Sequence, residues 1–407
     1  MAILATSQSE LAWVRESTLG TTPDNPKFKA INSISDSFEG TVSTETSTSI
    51  RADRQKSDLV SVSNEVGGDL NFHLDIDNFR EFLTDVMLTD DSDVRTDRLE
   101  RGTLTTIQAV AAAKTFTTNG DTNYFRDQPK VGDKVRVTGY TGANADLNGI
   151  YTIASVNTNN RQITVVEDVA RNVTATAQIL YKYYRNGQDA PNLFSYTFMK
   201  KYAHGGDADM TDLDTTLDDP LYHYFRGMVP NTLSISVSTT SLLDCTVGFV
   251  GRTDELTAGA VSGQTLKVAP TESLIASGDD VDITATTLSN GHVNSCSLTV
   301  DNQVTQARAV GSLDVFDEAA FGLSVTGDIE FYFEDKSAFD LFAQESSFPL
   351  TLKFQGGTSY WELHLPKCKV TSLDNPRPGQ DQFLFVTAGF EALRDATAGY
   401  TIESRVI

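Results

Sequence analysis

Residues 66–72 read Val-Gly-Gly-Asp-Leu-Asn-Phe, and residues 325–331 read Val-Thr-Gly-Asp-Ile-Glu-Phe. Both segments alternate apolar and polar side chains after the Gly-Asp pair, which is typical of a β-strand. A short acidic turn follows each, and then come Phe-Arg-Glu-Phe at 79–82 and Phe-Asp-Leu-Phe at 339–342. Because residues three apart share one side of a helix, each segment predicts a strand, a turn and one short helix whose Phe pair faces a core.

A second block recurs in the same order along the chain. Residues 244–249 read Asp-Cys-Thr-Val-Gly-Phe, and residues 385–390 read Phe-Val-Thr-Ala-Gly-Phe. Two blocks repeated in one order indicate a duplication, whose halves we call the first copy and the second copy. The two blocks of the second copy are about fifty residues apart, and those of the first copy are much further apart. The excess falls mostly at residues 103–185.

The segment 103–185 has strand patterns of its own. Apolar and polar residues alternate at 131–137, 148–153 and 161–166, and Asn-Gly and Asn-Asn pairs between them are hairpin turn signals. A loop accepts such an insertion at little cost when its ends lie close together. The pattern predicts a small β-barrel inserted into the first copy.

Period-two patterns dominate the rest of the chain, with clean alternation at 233–237 and 361–365. Helical patterns are few, and the strongest is 78–88, where Phe79, Phe82, Leu83 and Val86 follow helical spacing. Asp77 is the predicted N-cap of that helix. The fold class is therefore mainly β: two tandem β-sandwich domains, each with a short helix, and the barrel-like insertion.

These patterns divide the chain into five parts. The amino-terminal arm and the first half of the first copy occupy 1–102, the insertion 103–185, the second half of the first copy 186–255, a linker arm 256–292, and the second copy 293–407. The linker is rich in Ala, Ser, Thr and Gly without helical periodicity, which favours an extended segment. The first 30 residues are predicted to dock as an arm.

Charge and hydropathy exclude several classes of protein. The net charge of −23 argues against a protein that wraps a nucleic-acid backbone, which needs clustered Lys and Arg. It is compatible with an acidic surface that keeps the protein soluble, or with one past which DNA slides without adhering. No apolar run approaches the ~20 residues that span a bilayer, and the amino terminus lacks the pattern of an export signal. We expect synthesis in the cytoplasm and no membrane contact.

No catalytic, cofactor-binding or metal site is predicted. The histidines at 73, 204, 223, 292 and 364 have no Cys or His partner at ligand spacing, and no nucleophile, zinc or phosphate-loop motif occurs. Cys245, Cys296 and Cys368 are far apart, and buried free thiols are the favoured interpretation. The sequence therefore predicts that the protein is not an enzyme.

Six aspartates between 207 and 219 form the densest polar segment of the chain. Alternating carboxylates supply oxygen ligands, but the glycine and closing Glu of an EF-hand loop are absent. A solvated loop, an acidic interface or channel-lining loop, and a calcium site are the three interpretations. Asp279, Asp280 and Asp282 form a smaller acidic patch with the same alternatives.

Three segments carry a family resemblance. Residues 13–23, Trp-Val-Arg-Glu-Ser-Thr-Leu-Gly-Thr-Thr-Pro, resemble the start of many major tail tube proteins of long-tailed, non-contractile bacteriophages (siphophages). The Ser/Thr-rich segment into 50–55, the Gly-Asp strand with its Phe-bearing helix, and 225–235 ahead of Val-Gly-Phe at 247–249 continue the pattern. The inserted segment resembles small β modules found in these proteins.

The resemblance implies a structural virion protein with β-sandwich domains and a flanking helix. In that family one sheet of each domain joins its neighbours in a ring, usually of six domains, whose lumen conducts DNA and the tape-measure protein. Two domains in one chain imply a trimeric, pseudo-sixfold ring. Implied partners are the protein itself through arms and sheet edges, the tape-measure protein, and the tail terminator and distal tail proteins, with DNA passing unbound. We expect the insertion to project outward.

Other functions compete with this interpretation. A glycan-binding β-rich surface or adhesion protein would account for the inserted barrel and the Ser/Thr-rich strands, and a capsid decoration or baseplate component is the nearest alternative within a virion. A glycosidase with two carboxylates is the enzymatic alternative. No aromatic-lined substrate motif accompanies the carboxylates, and the chain has only two Trp residues.

Overall fold

The structure is a computed structural model. It describes residues 9–50, 52, 53, 55, 56, 58–88, 105–119, 131, 134–157, 160–180, 183–186, 193–202, 221–239, 241–269, 271, 274–276, 280–285, 288, 292–334, 336–356, 359–375, 380 and 383–406.

Strands dominate every part of the chain. The arm and the first half of the first copy contain β1 (Ser9–Arg15), β2 (Lys27–Ile31), β3 (Ser35–Asp36), β4 (Glu39–Thr46), β5 (Leu59–His73) and helix α1 (Ile76–Asp85). The predicted insertion contains β6 (Thr105–Val110), β7 (Thr115–Asn119), β8 (Lys134–Thr138), a 3₁₀ helix (Gly142–Leu147), β9 (Gly149–Asn157), β10 (Gln162–Val165), β11 (Val173–Leu180) and β12 (Tyr183–Arg185).

The second half of the first copy contains β13 (Tyr196–Tyr202), β14 (Leu221–Ser238), β15 (Asp244–Gly251) and β16 (Thr253–Thr257). The linker region adds β17 (Thr265–Lys267) and β18 (Val281–Thr284). The second copy contains β19 (Val293–Asp301), β20 (Val304–Arg308), β21 (Val315–Ala320), β22 (Ser324–Tyr332), helix α2 (Ser337–Ala343), β23 (Ser347–Gly356), β24 (Ser359–Asp374), β25 (Phe385–Ala392) and β26 (Glu403–Val406). The predicted mainly β fold class is confirmed.

The two copies pair their repeated blocks in one register. Phe249 lies opposite Gly68 and Gly248 opposite Asp69 in the antiparallel β5–β15 ladder. In the β22–β25 ladder, Phe390 lies opposite Gly327 and Gly389 opposite Asp328. The β14–β15 and β24–β25 ladders also shift register at matching points, at Pro230/Thr232 and at Val370/Ser372. Such matched ladders and bulges indicate that both copies have one topology.

One continuous antiparallel sheet runs through both copies. Its described strands follow the spatial order β4, β5, β15, β14, β19, β22, β25, β24. Strand β19 forms the junction, because it pairs with β14 of the first copy on one side and with β22 of its own copy on the other. We call this the through-sheet.

The long strands β14 and β24 carry the chain out of the through-sheet into a second layer. The first half of β14 pairs with β13 and β16, and the first half of β24 pairs with β23 and β26. A single core lies between the layers, and its largest fully buried side chains include Phe72, Phe198 and Trp361. Each copy is therefore a β-sandwich that shares its core with the other.

Both arms contribute strands to the second layer. In the amino-terminal arm, β1 pairs with β13 and β2 pairs with β1. In the linker, β17 runs parallel to β2, and β18 pairs with β23 of the second copy. The arms thus extend the sheet edges of the same chain.

Helix α1 begins two residues earlier than predicted. The Oδ1 atom of Asp75 accepts a hydrogen bond from the backbone N–H of Asn78 at 3.2 Å, so Asp75 rather than Asp77 caps the helix. Phe79 and Phe82 are buried as predicted, and Phe79 stacks on Phe72 with ring centroids 3.7 Å apart. The helix therefore closes the apolar side of the through-sheet.

The prediction for the Phe pair of the second copy was wrong. Phe339 and Phe342 in α2 are 37% and 45% exposed, and Ala338 is the buried residue of that helix. In the first copy, the ring centroids of Trp13 in the arm and Phe82 are 4.9 Å apart, so Trp13 helps to bury Phe82. The helix α1 also packs against β24 and β26 of the second copy. Among the described helices, none combines the length and apolar character that a membrane span requires.

Strands β6 to β11 close into a six-stranded barrel. The barrel has a core of its own, built around Ile107, Phe116, Ile153 and Ile163, which is separate from the sandwich core. Strand β12 lies inside the predicted insertion limits but pairs with β26 of the second copy.

The Asn148-Gly149 pair does not form the hairpin turn that its sequence suggested. Asn148 ends the 3₁₀ helix, and Gly149 begins β9. The Asn148 side chain accepts a hydrogen bond from the Tyr140 N–H at 3.0 Å and donates one to the Tyr140 carbonyl at 2.8 Å. A longer connection replaces the two-residue turn because these side-chain bonds close it. Of the predicted Asn-Asn turn, Asn159 lies outside the described residues.

Candidate functional site: the polar face of the through-sheet

The through-sheet has one apolar face and one polar face. In β14, Leu233, Ile235 and Val237 are buried against the helix side, while Ser234 and Ser236 point the opposite way. Successive side chains of a strand alternate between faces, so the predicted alternation at 233–237 placed these residues correctly. The polar face is exposed in the single chain, and the sheet is large enough for this face to form a functional surface.

Polar side chains form rows across the strands of this face. One row in register follows the strand order and consists of Ser35, Asn71, Thr246, Ser234, Thr299, Thr326, Glu391 and Lys369. Asn71 donates to Ser35 Oγ at 2.9 Å and accepts from Thr246 Oγ1 at 2.6 Å, and the hydroxyls of Ser234 and Thr299 lie 3.2 Å apart. Short hydroxyl and amide side chains that bond to each other make a flat surface and hold their rotamers.

The charged groups on this face are predominantly acidic. Its carboxylates include Glu39, Glu65, Asp69, Asp244, Asp301, Asp328, Glu330, Asp374 and Glu391. Among its described residues, the basic side chains are Lys369 and His73, and the His73 ring lies 2.8 Å from the Asp244 carboxylate. Such a surface repels a polyanion rather than binding it.

Strand β19 takes the place in the second copy that β3 and β4 take in the first. Ser37 Oγ accepts a hydrogen bond from the Asp69 N–H at 2.8 Å, and Ser297 Oγ accepts one from the Asp328 N–H at 3.2 Å. Sequence reasoning missed this strand. Its only signal was a Ser-x-Ser-apolar pattern shared by residues 35–38 and 295–298.

The two ends of the through-sheet are open. Strand β4 pairs with β5 on one side, and residues 370–374 of β24 pair with β25 on one side. Within the described part of the chain, neither has a strand on its other side. Unpaired N–H and C=O groups along such edges are templates for a further strand.

A buried carboxylate explains the Glu-Ser-Thr motif of the arm. Glu16 accepts hydrogen bonds from the Gly20 N–H, the Ser195 and Thr197 hydroxyls, and the Gly227 N–H, at distances of 2.7 to 3.0 Å. These donors come from the arm, from the start of β13 and from the bend of β14. Glu16 therefore fixes the arm on the sandwich, a role that no local sequence pattern could reveal because three of the four donors lie about 180 to 210 residues away.

The remaining predicted polar groups lie apart from one another. His223 contacts Asp254 at 2.9 Å, His364 contacts Thr351 Oγ1 at 2.9 Å, and His292 lies 3.6 Å from Glu334. Burial lowers the pKa of His364. His204 and the six aspartates between 207 and 219 lie outside the described residues.

The smaller acidic patch is engaged within the chain. Asp280 accepts a hydrogen bond from the Ala276 N–H at 3.1 Å, and Asp282 pairs with Lys353 at 2.9 Å. Asp279 is not among the described residues. Across the described ranges, no group of three or more His, Cys, Asp and Glu side chains has an arrangement suited to a metal ion.

The three cysteines are free and buried, as predicted. Burial raises the pKa of the Cys296 and Cys368 thiols to about 12, with a smaller contribution from Asp328 at Cys296. A thiol with so high a pKa is a poor nucleophile and packs as an apolar side chain.

Comparison with known proteins agrees with the features of the fold. A family model described as phage tail tube protein matches residues 6–392, nearly the whole chain. No curated protein matches the sequence.

Proposed function

The chain belongs to the phage tail tube protein family, and we propose that three copies close into a ring whose through-sheets form one β-barrel lined by the polar face. Stacked rings then make the hollow tail tube that conducts DNA during ejection. The observation that carries the proposal is the β14–β19 junction, in which one copy already joins the next edge to edge.

The open edges match the two sides of that junction. The second half of β24 corresponds to the second half of β14, and β3 with β4 corresponds to β19. Transferring the junction register to two chains places Ser372 opposite Thr41 of the neighbour, as Thr232 lies opposite Asp301 within the chain. Closure of this kind removes both exposed edges.

The stagger of the strands fits a barrel. A cross-strand row that starts at Asp69 passes through Gly248, Thr232 and Asp301 and reaches Ser324 of β22. The residue of β22 that is equivalent to Asp69 is Asp328, which lies four residues further along the strand. The register thus advances by four residues over four strands. With a rise of about 3.3 Å per residue and a strand spacing of about 4.8 Å, this stagger gives a tilt of about 35°, within the usual range for barrels.

The tilt sets the diameter of the barrel. Three chains supply twenty-four strands, which at this tilt form a barrel of about 22 Å backbone radius and leave a lumen of about 33 Å between side chains. Two chains would leave a lumen of about 18 Å, narrower than a DNA duplex of roughly 20 Å. Three chains are therefore the smallest ring that passes DNA.

The acidic polar face suits the wall of such a channel. Carboxylates from both copies, such as Asp69 and its equivalent Asp328, would face the lumen and repel the DNA backbone. DNA then moves through the tube without specific binding. The role is structural rather than catalytic, and the protein resides in the virion after synthesis in the host cytoplasm.

The inserted barrel would lie on the side away from the polar face. It follows α1, whose Phe79 and Phe82 pack on the apolar side of the through-sheet. We therefore place the barrel on the outside of the tube. We propose the division into 1–102, 103–185, 186–255, 256–292 and 293–407 for these units; β12 lies within 103–185 but pairs with β26 of the second copy.

Further partners follow from a tube of this kind. Head-to-tail stacking of rings is a heterologous contact that does not close, so it yields a filament. The tape-measure protein would occupy the lumen, and the terminator and distal tail proteins would cap the ends. The phage would be long-tailed and non-contractile.

A disulfide across the proposed junction tests the ring. Thr41→Cys with Ser372→Cys should form bonds between chains, because within one chain these positions are seven strand spacings, about 34 Å, apart. On a non-reducing gel, oxidised assemblies should give covalent dimers and trimers, and electron microscopy should show rings with three chains each. The buried native cysteines do not compete.

A register-shifted pair is the matched control. Glu39→Cys with Ser372→Cys moves one thiol by two residues along β4, beyond the reach of a disulfide. If both pairs cross-link equally, or if the protein stays monomeric at high concentration, the proposed ring is wrong.

A further inference from the structure

The junction between the two copies includes a hairpin as well as strand β19. Strands β20 and β21 form this hairpin, which seats on the end of the first copy. The Val304 N–H donates to Asn231 Oδ1 at 2.8 Å, and Gln306 Nε2 donates to the Gly251 carbonyl at 2.6 Å. Arg308 Nη1 donates to the Asn64 carbonyl at 2.8 Å. We call residues 302–323 the second-copy hairpin.

The centre of this contact is charged. Arg252 lies 3.2 Å from Asp317 and 3.9 Å from Glu318. Glu318 is only 4% exposed, and neither of its carboxylate oxygens has a hydrogen-bond partner among the described residues. The contact is therefore selective, because without Arg252 this buried carboxyl group would have no oppositely charged side chain beside it in the described part of the chain.

The first copy has an equivalent hairpin, formed by β4 and the start of β5. We call residues 42–64 the first-copy hairpin. In it Thr46 lies opposite Leu59, and in the second-copy hairpin Gln306 lies opposite Glu318. The two pairs lie at the same distance along the chain from the β5–β15 and β22–β25 ladders, which the copies share. Leu59 therefore occupies the place of Glu318.

The surface that would receive the first-copy hairpin also differs. Arg252 follows Gly251 at the end of β15, and Leu393 follows Ala392 at the end of β25. Gly251 and Ala392 are equivalent positions. Gly251 lies against Met228 of β14, and Ala392 lies opposite Cys368, which is the residue of β24 that corresponds to Met228. Where the junction inside the chain sets Arg252 beside Glu318, a junction between chains would set Leu393 beside Leu59.

The first-copy hairpin carries several exposed apolar side chains in the single chain. Leu59 is 60% exposed and Val42 is 54% exposed, and Val60 and Val62 are also exposed. Asn302, the equivalent of Val42, is 5% exposed and donates to the Val86 carbonyl at 2.8 Å. The position that is buried and polar at the junction inside the chain is thus apolar and exposed at the free end. Exposed apolar side chains grouped in this way mark a contact surface.

We propose that the first-copy hairpin docks on the Leu393 end of the second copy of a neighbouring chain, through apolar contacts that replace the Arg252–Glu318 pair. The inference rests on the proposed ring, for which it supplies the partner surface beyond the strand edges. The exposed Phe339 and Phe342 of α2 lie on the same copy, where a neighbouring chain can cover them as the second copy covers α1.

The difference in chemistry sets the order of the copies around the ring. A second-copy hairpin on the Leu393 end would bury Glu318 without a cation, and a first-copy hairpin on Arg252 would leave the guanidinium without its carboxylate. First copies therefore alternate with second copies. Rings in which two like copies are neighbours are therefore disfavoured.

A charge placed on each side of the contact tests the proposal. Leu59→Glu should raise the critical concentration for assembly by about tenfold or more, because it buries a carboxylate beside Leu393. Leu393→Arg should weaken assembly in the same way. The double variant, Leu59→Glu with Leu393→Arg, should assemble within about threefold of the unmodified protein, since it reproduces the pair found inside the chain.

Two controls separate docking from folding and from surface charge. Leu59 is exposed in the single chain, so Leu59→Glu monomers should keep their thermal midpoint. Val166 in the inserted barrel is 56% exposed, and Val166→Glu should assemble normally. Light scattering and electron microscopy measure assembly in each case.

The outcomes distinguish this proposal from the ring itself. If Leu59→Glu assembles like the unmodified protein, or if the double variant is no better than either single variant, hairpin docking is wrong while the ring and its cross-link stand. If the unmodified protein forms no rings and no cross-link, both proposals fail together.

Discussion

Gly327 lies directly opposite Phe390 in the β22–β25 ladder, and a Cβ atom added to this glycine would come within 2.7 Å of the Phe390 ring. The same Cβ would also overlap the Ser297 carbonyl of the junction strand β19. The first copy repeats the arrangement with Phe249 opposite Gly68. A glycine at this point allows the ring and the neighbouring strand to approach closely, which explains why the Gly-Asp pair recurs in both copies.

Gly327→Ala should therefore destabilise the second copy and its junction with the first. The methyl group meets a backbone oxygen and a buried ring, neither of which moves easily, so we expect a loss of about 1–3 kcal/mol in the free energy of unfolding. Denaturant titration measures it. Gly149→Ala is the control, because its Cβ would meet only the Tyr151 ring at 3.8 Å, and its effect should stay within about 0.5 kcal/mol. Equal effects of the two substitutions would contradict this account.

Glu16→Ala should loosen the arm from the sandwich. The substitution leaves the Ser195 and Thr197 hydroxyls and the Gly20 and Gly227 amides without their acceptor. Unpaired buried donors of this kind should cost on the order of 3 kcal/mol. Limited proteolysis should then cleave within the first 30 residues at lower protease concentration.

Ser17→Ala tests whether the arm responds to any change in this motif. Ser17 is exposed, and its loss should leave both stability and proteolysis unchanged. A Glu16→Ala protein that resists protease as well as the unmodified chain does would show that the carboxylate is not what holds the arm.

The sequence predicted those parts of the fold that depend on local pattern. Alternation at 233–237 identified β14 and its two faces, and the repeated Gly-Asp and Gly-Phe blocks identified two ladders that pair in one register. The buried free thiols followed from their strand context. These features depend on the period of the side chains along one strand, which the sequence displays directly.

Features that depend on distant partners could not be predicted. The position of β19 between β14 and β22 follows from a register between segments about 60 and 30 residues away. Phe82 and Phe342 have similar sequence contexts, but only Phe82 is buried, because burial is decided by Trp13 and by contact of the helix with the other copy. The polar face likewise became a single surface only when the strand order was known.

Stability should fall as pH rises through the range in which Glu318 titrates. Burial raises the pKa of Glu318 to about 8 despite Arg252 nearby, and in the unfolded chain a Glu titrates near 4.5. Between these values the folded protein holds a proton that the unfolded chain has released, so unfolding becomes easier with increasing pH up to about 8 and levels off above it.

Glu318→Gln removes this dependence. The variant should match the unmodified protein near pH 4.5 and be more stable at pH 8, by on the order of 3 kcal/mol. Denaturant midpoints of the monomer at several pH values measure the difference. Asp317→Asn, at a side chain that is 64% exposed, should leave the pH dependence as it is. A pH profile of Glu318→Gln that parallels that of the unmodified protein would contradict the assignment.

A lysine on the polar face should make assembled tubes bind DNA. Ser234 lies between Thr246 and Thr299 in its cross-strand row, so no carboxylate stands directly opposite to neutralise a new amine. In the proposed ring, Ser234→Lys places three amines at one level of the lumen, and stacked rings repeat them along its length. Short duplexes should then sediment with the tubes at low salt and be released as the salt concentration rises.

The location of the charge, rather than its presence, should decide this result. Thr174→Lys adds the same charge at an exposed position of the inserted barrel, which we place outside the tube. Tubes of Thr174→Lys and of the unmodified protein should both leave a duplex in solution, because the remaining carboxylates of the lumen still repel it. Equal retention by the two lysine variants would mean that the polar face does not line the channel, and the orientation proposed for the through-sheet would have to be reversed.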